Sequence, residues 1–144
     1  MKQRIHLWYD QEGDFFELGI GKPSVAYAEE IKPGIFFCFD EKTHDMKSVS
    51  IFSITRQLLP IDLSLLDLHI SYDCTQDVLE LLFGQETATT FEDIGDGIFQ
   101  RVEKKTGYIT GLRILSLTTR KKKFINRELF FPFEIPRVVA TSTA

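Results

Sequence analysis

Apolar and polar residues alternate along much of the chain, with the two-residue period that is typical of half-buried β-strands. The alternation is clear in the segments that start at Ile5 and Phe16, and again in those that start at Leu68 and Leu79. A short polar turn separates the two segments of each pair, so each pair predicts a β-hairpin. Further turns and apolar stretches follow each hairpin, and the pattern as a whole predicts a mainly β protein.

The same pattern occurs twice, because residues 5–57 match residues 68–120 at a constant offset of 63 residues without a gap. Matched identities include His6/His69, Tyr9/Tyr72, Asp10/Asp73, Asp14/Asp77, Glu17/Glu80, Gly21/Gly84 and Gly34/Gly97. Chance does not produce such a series, so we interpret it as an internal duplication. Each copy predicts an antiparallel β-meander of about four or five strands.

The duplication divides the chain into four segments: β repeat 1 at 1–57, a packed linker at 58–67, β repeat 2 at 68–120 and a C-terminal extension at 121–144. The linker is too apolar for a flexible connection. Since a small sheet alone is marginally stable, we expect the two repeats to be related by a pseudo-two-fold axis and packed as one compact body.

Composition supports a packed core, since 43% of the 144 residues are hydrophobic and 13 are phenylalanine. Aromatic burial can supply much of the stability of such a chain. The two cysteines, Cys38 and Cys74, do not correspond between the copies and are interpreted as free thiols. The sequence has no hydrophobic signal region and no apolar stretch near the ~20 residues of a membrane span, so we expect a cytoplasmic protein.

Six carboxylates occupy matching places in the two copies: Asp10, Asp14 and Glu17, and Asp73, Asp77 and Glu80. Paired carboxylates can bind Ca²⁺ or Mg²⁺, or divide acid and base roles in hydrolysis. The aspartates bracket a predicted hairpin turn, however, where Asp side chains accept backbone amides. We therefore favour turn capping and predict no metal site.

Histidine and nucleophile patterns add no catalytic prediction. His6 and His69 could form a symmetric two-histidine site, but histidines on a solvated strand face are commoner. No phosphate loop and no recognisable nucleophile motif occurs in the sequence. We predict no catalytic residues and no cofactor.

One basic cluster stands out in an otherwise acidic chain of net charge −4: Lys121, Lys122, Lys123 and Arg127. Phenylalanines follow it, and basic residues next to aromatic residues suit a single-stranded nucleic acid. The acidic remainder of the chain makes nucleic acid a minor alternative, so these four residues are predicted only as a binding segment. We also expect residues 124–136, which include four phenylalanines, to pack on the β body or on a second copy of it.

Both copies resemble the bacterial family called domain of unknown function 2283. The resemblance rests on the Tyr-Asp turn, a following apolar strand and Gly-Ile, and in the second copy on the stretch from Thr106 to Leu115. It covers both repeats but not residues 121–144. Membership would imply a small β-rich module without an established activity.

These observations favour a non-catalytic interaction or regulatory module with a protein partner, or one that self-associates as a homodimer. Two alternatives stay open. One is a regulator that binds nucleic acid or a toxin through the basic C-terminal segment. The other is a metal-dependent enzyme that uses the acidic turns.

Overall fold

The computed structural model describes residues 3–57, 60–131 and 137–140, and this part of the chain is mainly β, as predicted. Its strands are β1 Gln3–Asp10, β2 Phe15–Ile20, β3 Ala26–Lys32, β4 Ile35–Asp40, β5 Met46–Phe52, β6 Ile61–Leu63, β7 Leu68–Asp73, β8 Val78–Phe83, β9 Thr89–Asp93, β10 Ile98–Glu103, β11 Ile109–Leu115 and β12 Phe124–Phe131. Short 3-10 helices occupy Ile54–Arg56 and Ser64–Leu66.

The strands form two antiparallel six-stranded sheets. Sheet 1 has the order β12-β1-β2-β5-β4-β3, and sheet 2 has the order β6-β7-β8-β11-β10-β9. Sheet 1 belongs to unit 1, which comprises Met1–Ile54 and Lys122–Ala144, and sheet 2 belongs to unit 2, Thr55–Lys121.

Strand positions in the two sheets follow the spacing of the sequence pattern. Strands β8, β10 and β11 lie 63 residues after β2, β4 and β5 and have the same lengths. Positions 63 residues apart are called corresponding positions below. The pseudo-two-fold relation between the copies stays a prediction.

Each sheet buries one face, because side chains of a strand point alternately to opposite sides. In β1 the buried residues are Ile5, Leu7 and Tyr9, and in β2 they are Phe16 and Leu18. Sheet 2 repeats the pattern with Leu68, Ile70, Leu79, Leu81, Leu112 and Ile114. Full burial of such a side chain stabilises the fold by roughly 1.5–3 kcal/mol, so the buried faces hold each sheet in its register.

The strand order differs from the simple meander that the sequence pattern predicted. β2 lies beside β5, and β3 is at the far edge of sheet 1. Glu29, Glu30 and Lys32 leave β3 mostly exposed, whereas β5 carries the buried residues Val49 and Ile51. A charged strand suits a sheet edge, where it discourages pairing with another chain, and an apolar strand suits an inner position.

The sixth strand of each sheet comes from outside the repeated segments. β6 lies within the linker and pairs with β7, and β12 lies within the C-terminal extension and pairs with β1 along its whole length. Ile61 and Leu63 of β6 are buried.

Strand β12 divides the phenylalanines of the C-terminal segment between two faces. Phe131 is fully buried, whereas Phe124 and Phe130 are about half exposed, at 49% and 51%. The segment 124–131 packs on the β body through β12, as expected, and Phe124 and Phe130 stay half exposed because alternation puts them on the face opposite Phe131. Residues 132–136 lie outside the described part, so the expectation for Phe133 is not covered.

Within the described residues, no helix has both the length and the apolar character that a membrane crossing requires.

Candidate functional site

The face of each sheet opposite the buried one is called its open face. On sheet 1 it carries Arg4, His6, Trp8 and Asp10 of β1, Phe15, Glu17 and Gly19 of β2, Phe36 and Cys38 of β4, Ser48, Ser50 and Phe52 of β5, and Phe124, Asn126, Glu128 and Phe130 of β12. Two features of this face, an aromatic cluster and a groove, are candidates for binding.

Aromatic rings cover one end of the open face of sheet 1. The Trp8 ring stacks on the Phe124 ring with the centroids 5.2 Å apart, and the Phe52 ring lies 4.8 Å from Phe15 and 5.5 Å from Phe36. Phe52 and Phe124 are each 49% exposed. These five residues are called the aromatic strip. Apolar side chains that are grouped on one face mark an interaction surface more often than scattered apolar residues do.

Strand register brings the strip together from distant parts of the sequence. Phe124 faces Asp10 on β1, Asp10 faces Phe15 on β2, and Phe15 faces Phe52 on β5. Phe36 of β4 adjoins Phe52, so the strip crosses five neighbouring strands, and it includes a residue from the C-terminal extension.

The first aspartate of each turn caps backbone amides, as predicted. Asp10 Oδ1 accepts the amides of Glu12 and Gly13 at 3.0 and 3.3 Å. Asp73 Oδ1 accepts the amides two and three residues later, at 2.9 and 3.2 Å. These bonds stabilise the two turns and occupy oxygens that a metal ion would need.

The second aspartate of each turn has a different role. Asp14 and Asp77 adopt left-handed backbone conformations, with φ of 50° and 59°, and accept the hydroxyl groups of Tyr9 and Tyr72 at 3.0 and 2.6 Å. Asp77 also accepts the backbone amide and the hydroxyl of Thr118. These contacts tie the turn to the segment that follows the last strand of the copy.

Hydrogen bonding also shifts the pKa values of this pair in unit 2. Burial, followed by the bond to the Asp77 carboxylate, raises the pKa of Tyr72 to about 12. Burial alone would raise the pKa of Asp77, but the hydrogen bonds from Tyr72 and Thr118 outweigh it and lower that pKa below its ordinary value. Both shifts arise from burial and from the hydrogen bonds that tie the turn to the rest of unit 2.

Each of the two matched histidines contacts the sixth strand of its own sheet. His6 Nε2 lies 2.5 Å from Asn126 Oδ1 on β12, and His69 Nδ1 lies 2.5 Å from Asp62 Oδ1 on β6. Among residues 3–57, 60–131 and 137–140, no three His, Cys, Asp or Glu side chains are grouped so that they could hold a metal ion. The two histidines therefore connect edge strands to the repeats.

A groove of about 410 Å³ lies next to the strip on unit 1. Its floor includes Gly19 and Ser48, whose side chains are absent or small, and the segment Gly21–Ser24 forms one wall. Arg4, His6, Asn126 and Glu128 line the other side, and Glu17, Lys22 and Lys47 complete the charged lining.

Charges in the groove are only partly compensated. Arg4 pairs with Glu128 at 2.8 Å, and Glu17 accepts the Ser50 hydroxyl at 2.9 Å. Within the described chain, the side chains of Lys22 and Lys47 contact no carboxylate. Two lysines therefore face the single unpaired charge of Glu17, and the groove is net positive.

On sheet 2 the corresponding region is filled by an ion-pair network that the sequence pattern did not reveal. The buried guanidinium of Arg101 donates to Glu80 and Glu86, each at 2.7 Å, and Arg113 donates to Glu80 at 2.8 Å. Both guanidinium groups lie over the Phe91 ring, at 5.4 and 4.0 Å from its centroid. Such cation–π contacts add to the ion pairs.

A glycine makes room for the buried arginine. A Cβ atom on Gly111 would lie 3.1 Å from Arg101 Cδ and 2.0 Å from the Leu81 carbonyl oxygen. The corresponding pair in the first copy is Cys38 and Ser48. The simultaneous change to Arg and Gly was visible in the sequence and could have indicated this packing.

The basic residues predicted as a binding segment do not form one cluster. Lys121, Lys122 and Lys123 are exposed in the loop before β12, next to Phe124. Arg127 faces Leu7 across the strand pair and lies on the opposite face of β12 from Asn126. Lys122 and Arg127 also take part in other interactions.

Comparison of the chain with family models, with curated proteins and with solved structures found no match. The resemblance to domain of unknown function 2283 therefore rests on the sequence motifs alone. The aromatic strip and the groove are the features of the protein that bear on its function.

Proposed function

We propose that this protein is a non-catalytic interaction module whose aromatic strip binds a protein partner that presents apolar and basic side chains. The cluster of Trp8, Phe15, Phe36, Phe52 and Phe124 carries this proposal, since Phe52 and Phe124 are exposed and the other three are half-buried beside them. Large aromatic side chains are typical anchors of protein interfaces, since they bury much area at a small cost in conformational entropy. The strip lies on a β-sheet, so its anchors are held by strand pairing.

Carboxylates next to the rings define the charge of the partner. Asp10 lies between Phe124 and Phe15 in the strand register, and Glu17 faces Trp8. Two negative charges within a contact area repel phosphates and attract Lys or Arg. A basic protein segment therefore fits the strip better than a nucleic acid, although Lys121–Lys123 are next to Phe124.

The same carboxylates argue against a dimer in which two strips meet. Pairing two copies through this face would bring Asp10 and Glu17 close to the same residues of the second copy, and like charges in a contact cost several kcal/mol. A different protein is the occupant that this surface favours.

Cys38 and Cys74 are free thiols, which supports the cytoplasmic location that we propose for the module.

The test replaces residues of the strip by those at the corresponding positions of unit 2: Trp8→Ser, Phe15→Val and Phe52→Leu. Because Ser71, Val78 and Leu115 occupy the same strand positions of sheet 2, the fold should tolerate these residues. Phe130→Ser is the matched control, since Phe130 is 51% exposed on the same face but outside the strip.

Peptides selected from a random displayed library should bind the wild type and Phe130→Ser, but not the triple variant. The selected sequences should combine aromatic or aliphatic residues with Lys or Arg. Calorimetry measures peptide binding to all three proteins, and the fluorescence of Trp8, the single tryptophan of the chain, reports binding at the strip in the two proteins that keep it.

Three outcomes would overturn the proposal. Selected peptides that bind the triple variant equally well would place the interaction elsewhere. A single-stranded RNA that changes Trp8 fluorescence with a steep salt dependence would favour the nucleic acid alternative. A dimer in light scattering that the triple variant loses would instead indicate self-association through the strip.

A further inference from the structure

We propose that the groove on unit 1 is a binding site for a small molecule that carries an oxyanion, either a phosphate ester or a carboxylate. This site lies beside the aromatic strip and has Glu17 as a common neighbour with it, but it does not depend on a protein partner. Its volume of about 410 Å³ is within the range of small-molecule sites in proteins.

Lys47 brings an ammonium group to one wall of the groove. Its Nζ lies 3.6 Å from the point where a Cβ atom on Gly21 would be, so the ammonium lies over the Gly21–Ser24 wall. Lys22, the residue after Gly21, brings a second ammonium group to the same wall. Lysine acts on phosphate as a point charge, and two ammonium groups on one wall favour an anion there.

Polar groups on the opposite side can orient the rest of the ligand. Asn126 uses its Oδ1 for His6, which leaves its amide NH₂ group as a donor, and the Ser48 hydroxyl lies at the floor. Gly19 keeps the floor low, because a side chain at this position would project into the groove beside His6.

The second copy lacks both the space and the charge of this groove. Gly19 corresponds to Leu82, and Lys22 and Lys47 correspond to Gln85 and Thr110. The space next to Leu82 is also taken up by the buried Arg101. The groove is therefore specific to unit 1 and is not a general property of the fold.

Residues of unit 2 provide the test variants. Gly19→Leu should fold, because His69 faces Leu82 in sheet 2 just as His6 faces Gly19 in sheet 1. Lys47→Gln removes one charge without filling the groove. Lys42→Gln is the matched control, since Lys42 lies in an exposed hairpin loop of the same unit outside the groove lining.

The measurement is a titration of amide NMR signals at constant ionic strength, with inorganic phosphate and, separately, with citrate as probes. Wild type should show saturable shifts centred on Gly19, Gly21 and Ser48. Lys47→Gln should weaken binding roughly tenfold, the loss expected for one hydrogen bond to a charged group. Gly19→Leu should abolish the saturable shifts, and Lys42→Gln should leave them unchanged.

The two probes distinguish the ligand sources. Saturation by phosphate alone would identify a phosphate ester, and saturation by citrate alone would identify a carboxylate. Shifts that never saturate, or that Lys42→Gln weakens as much as Lys47→Gln, would overturn the site. If Gly19→Leu does not fold, the comparison of the two lysine variants still decides the question.

Discussion

The open faces of the two sheets differ at corresponding positions. Where one face carries large side chains, the other face has a hollow. Sheet 1 is filled at the aromatic strip and hollow at the groove. Sheet 2 is filled by Arg101 and Leu82 where sheet 1 has its groove, and it has a hollow of about 300 Å³ lined by Ser71, Val78 and Leu115 where sheet 1 has its strip.

The features that the two sheets share maintain the fold, and the features that differ between their open faces are available for binding. Both copies keep the turn aspartates, the Tyr–Asp bond and the buried alternation, so these features belong to the β framework. The open faces differ because they are not needed for the core. We infer that unit 1 carries the binding surfaces, whereas the polar network of unit 2 stabilises its own sheet.

The largest expected effect is at Gly111. Replacement by Ala would force a Cβ atom to within 2.0 Å of the Leu81 carbonyl oxygen, so backbone must move. We expect a loss of about 3 kcal/mol in the free energy of unfolding, measured by urea denaturation. Ser48→Ala at the corresponding position of unit 1 should change it by less than about 0.5 kcal/mol. Equal effects of the two substitutions would remove the distinction between the sheets.

Arg101→Met should cost about 2 kcal/mol, since it leaves Glu80 with one guanidinium partner instead of two and loses a contact with Phe91. Arg137→Met is the control, because the Arg137–Asp45 pair is exposed and solvent screens such pairs, so they contribute little to stability. Urea denaturation again measures the difference. If Arg101→Met is neutral, the network does not stabilise sheet 2.

Asp14→Ala and Asp77→Ala should each lower stability by about 1 kcal/mol, because each removes an acceptor for a tyrosine hydroxyl. The Asp→Asn variants keep a residue that tolerates positive φ and should lose less. Thermal melts check both copies. Unchanged melts, together with stabilisation of the wild type by Ca²⁺ or Mg²⁺, would favour the metal alternative.

Acid titration tests the Tyr72–Asp77 pair of unit 2 more specifically than a thermal melt does. The pKa of Asp77 is lowered in the folded state, so its contribution is present above the ordinary carboxyl pKa of 3.8 and is lost as pH falls through the folded value. Asp77→Ala should therefore flatten the acid limb of a plot of stability against pH. An unchanged acid limb would show that the carboxylate is not stabilised by folding.

Ionisation of Tyr72 is expected to have the smallest effect on stability, because it occurs only at alkaline pH. Its pKa is raised from 10.0 to about 12, so its contribution is fully present below pH 10 and is lost as pH rises towards the folded value. Tyr72→Phe should abolish this alkaline loss, and ultraviolet absorbance of the phenolate should report the late titration. A Tyr72 that titrates near pH 10 would contradict the buried bond to Asp77.

Local features of the fold were predictable from the residues. The two-residue alternation predicted the strands, and the aspartates after Tyr9 and Tyr72 predicted capped turns. These predictions succeed because side-chain alternation and capping depend on residues a few positions apart. The simple meander failed because the choice between β3 and β5 as the neighbour of β2 depends on residues about thirty positions away.

The sequence by itself determined the β class, the spacing of the strands and the turns that connect them. Only the tertiary structure decided which surfaces form. Trp8 meets Phe124, His6 meets Asn126 and Arg101 meets Glu80 through pairings between strands that are distant in the chain. A periodic pattern shows which face a side chain occupies, but not which strand lies beside it. For that reason the strip, the groove and the arginine network became visible only when the strand order was known.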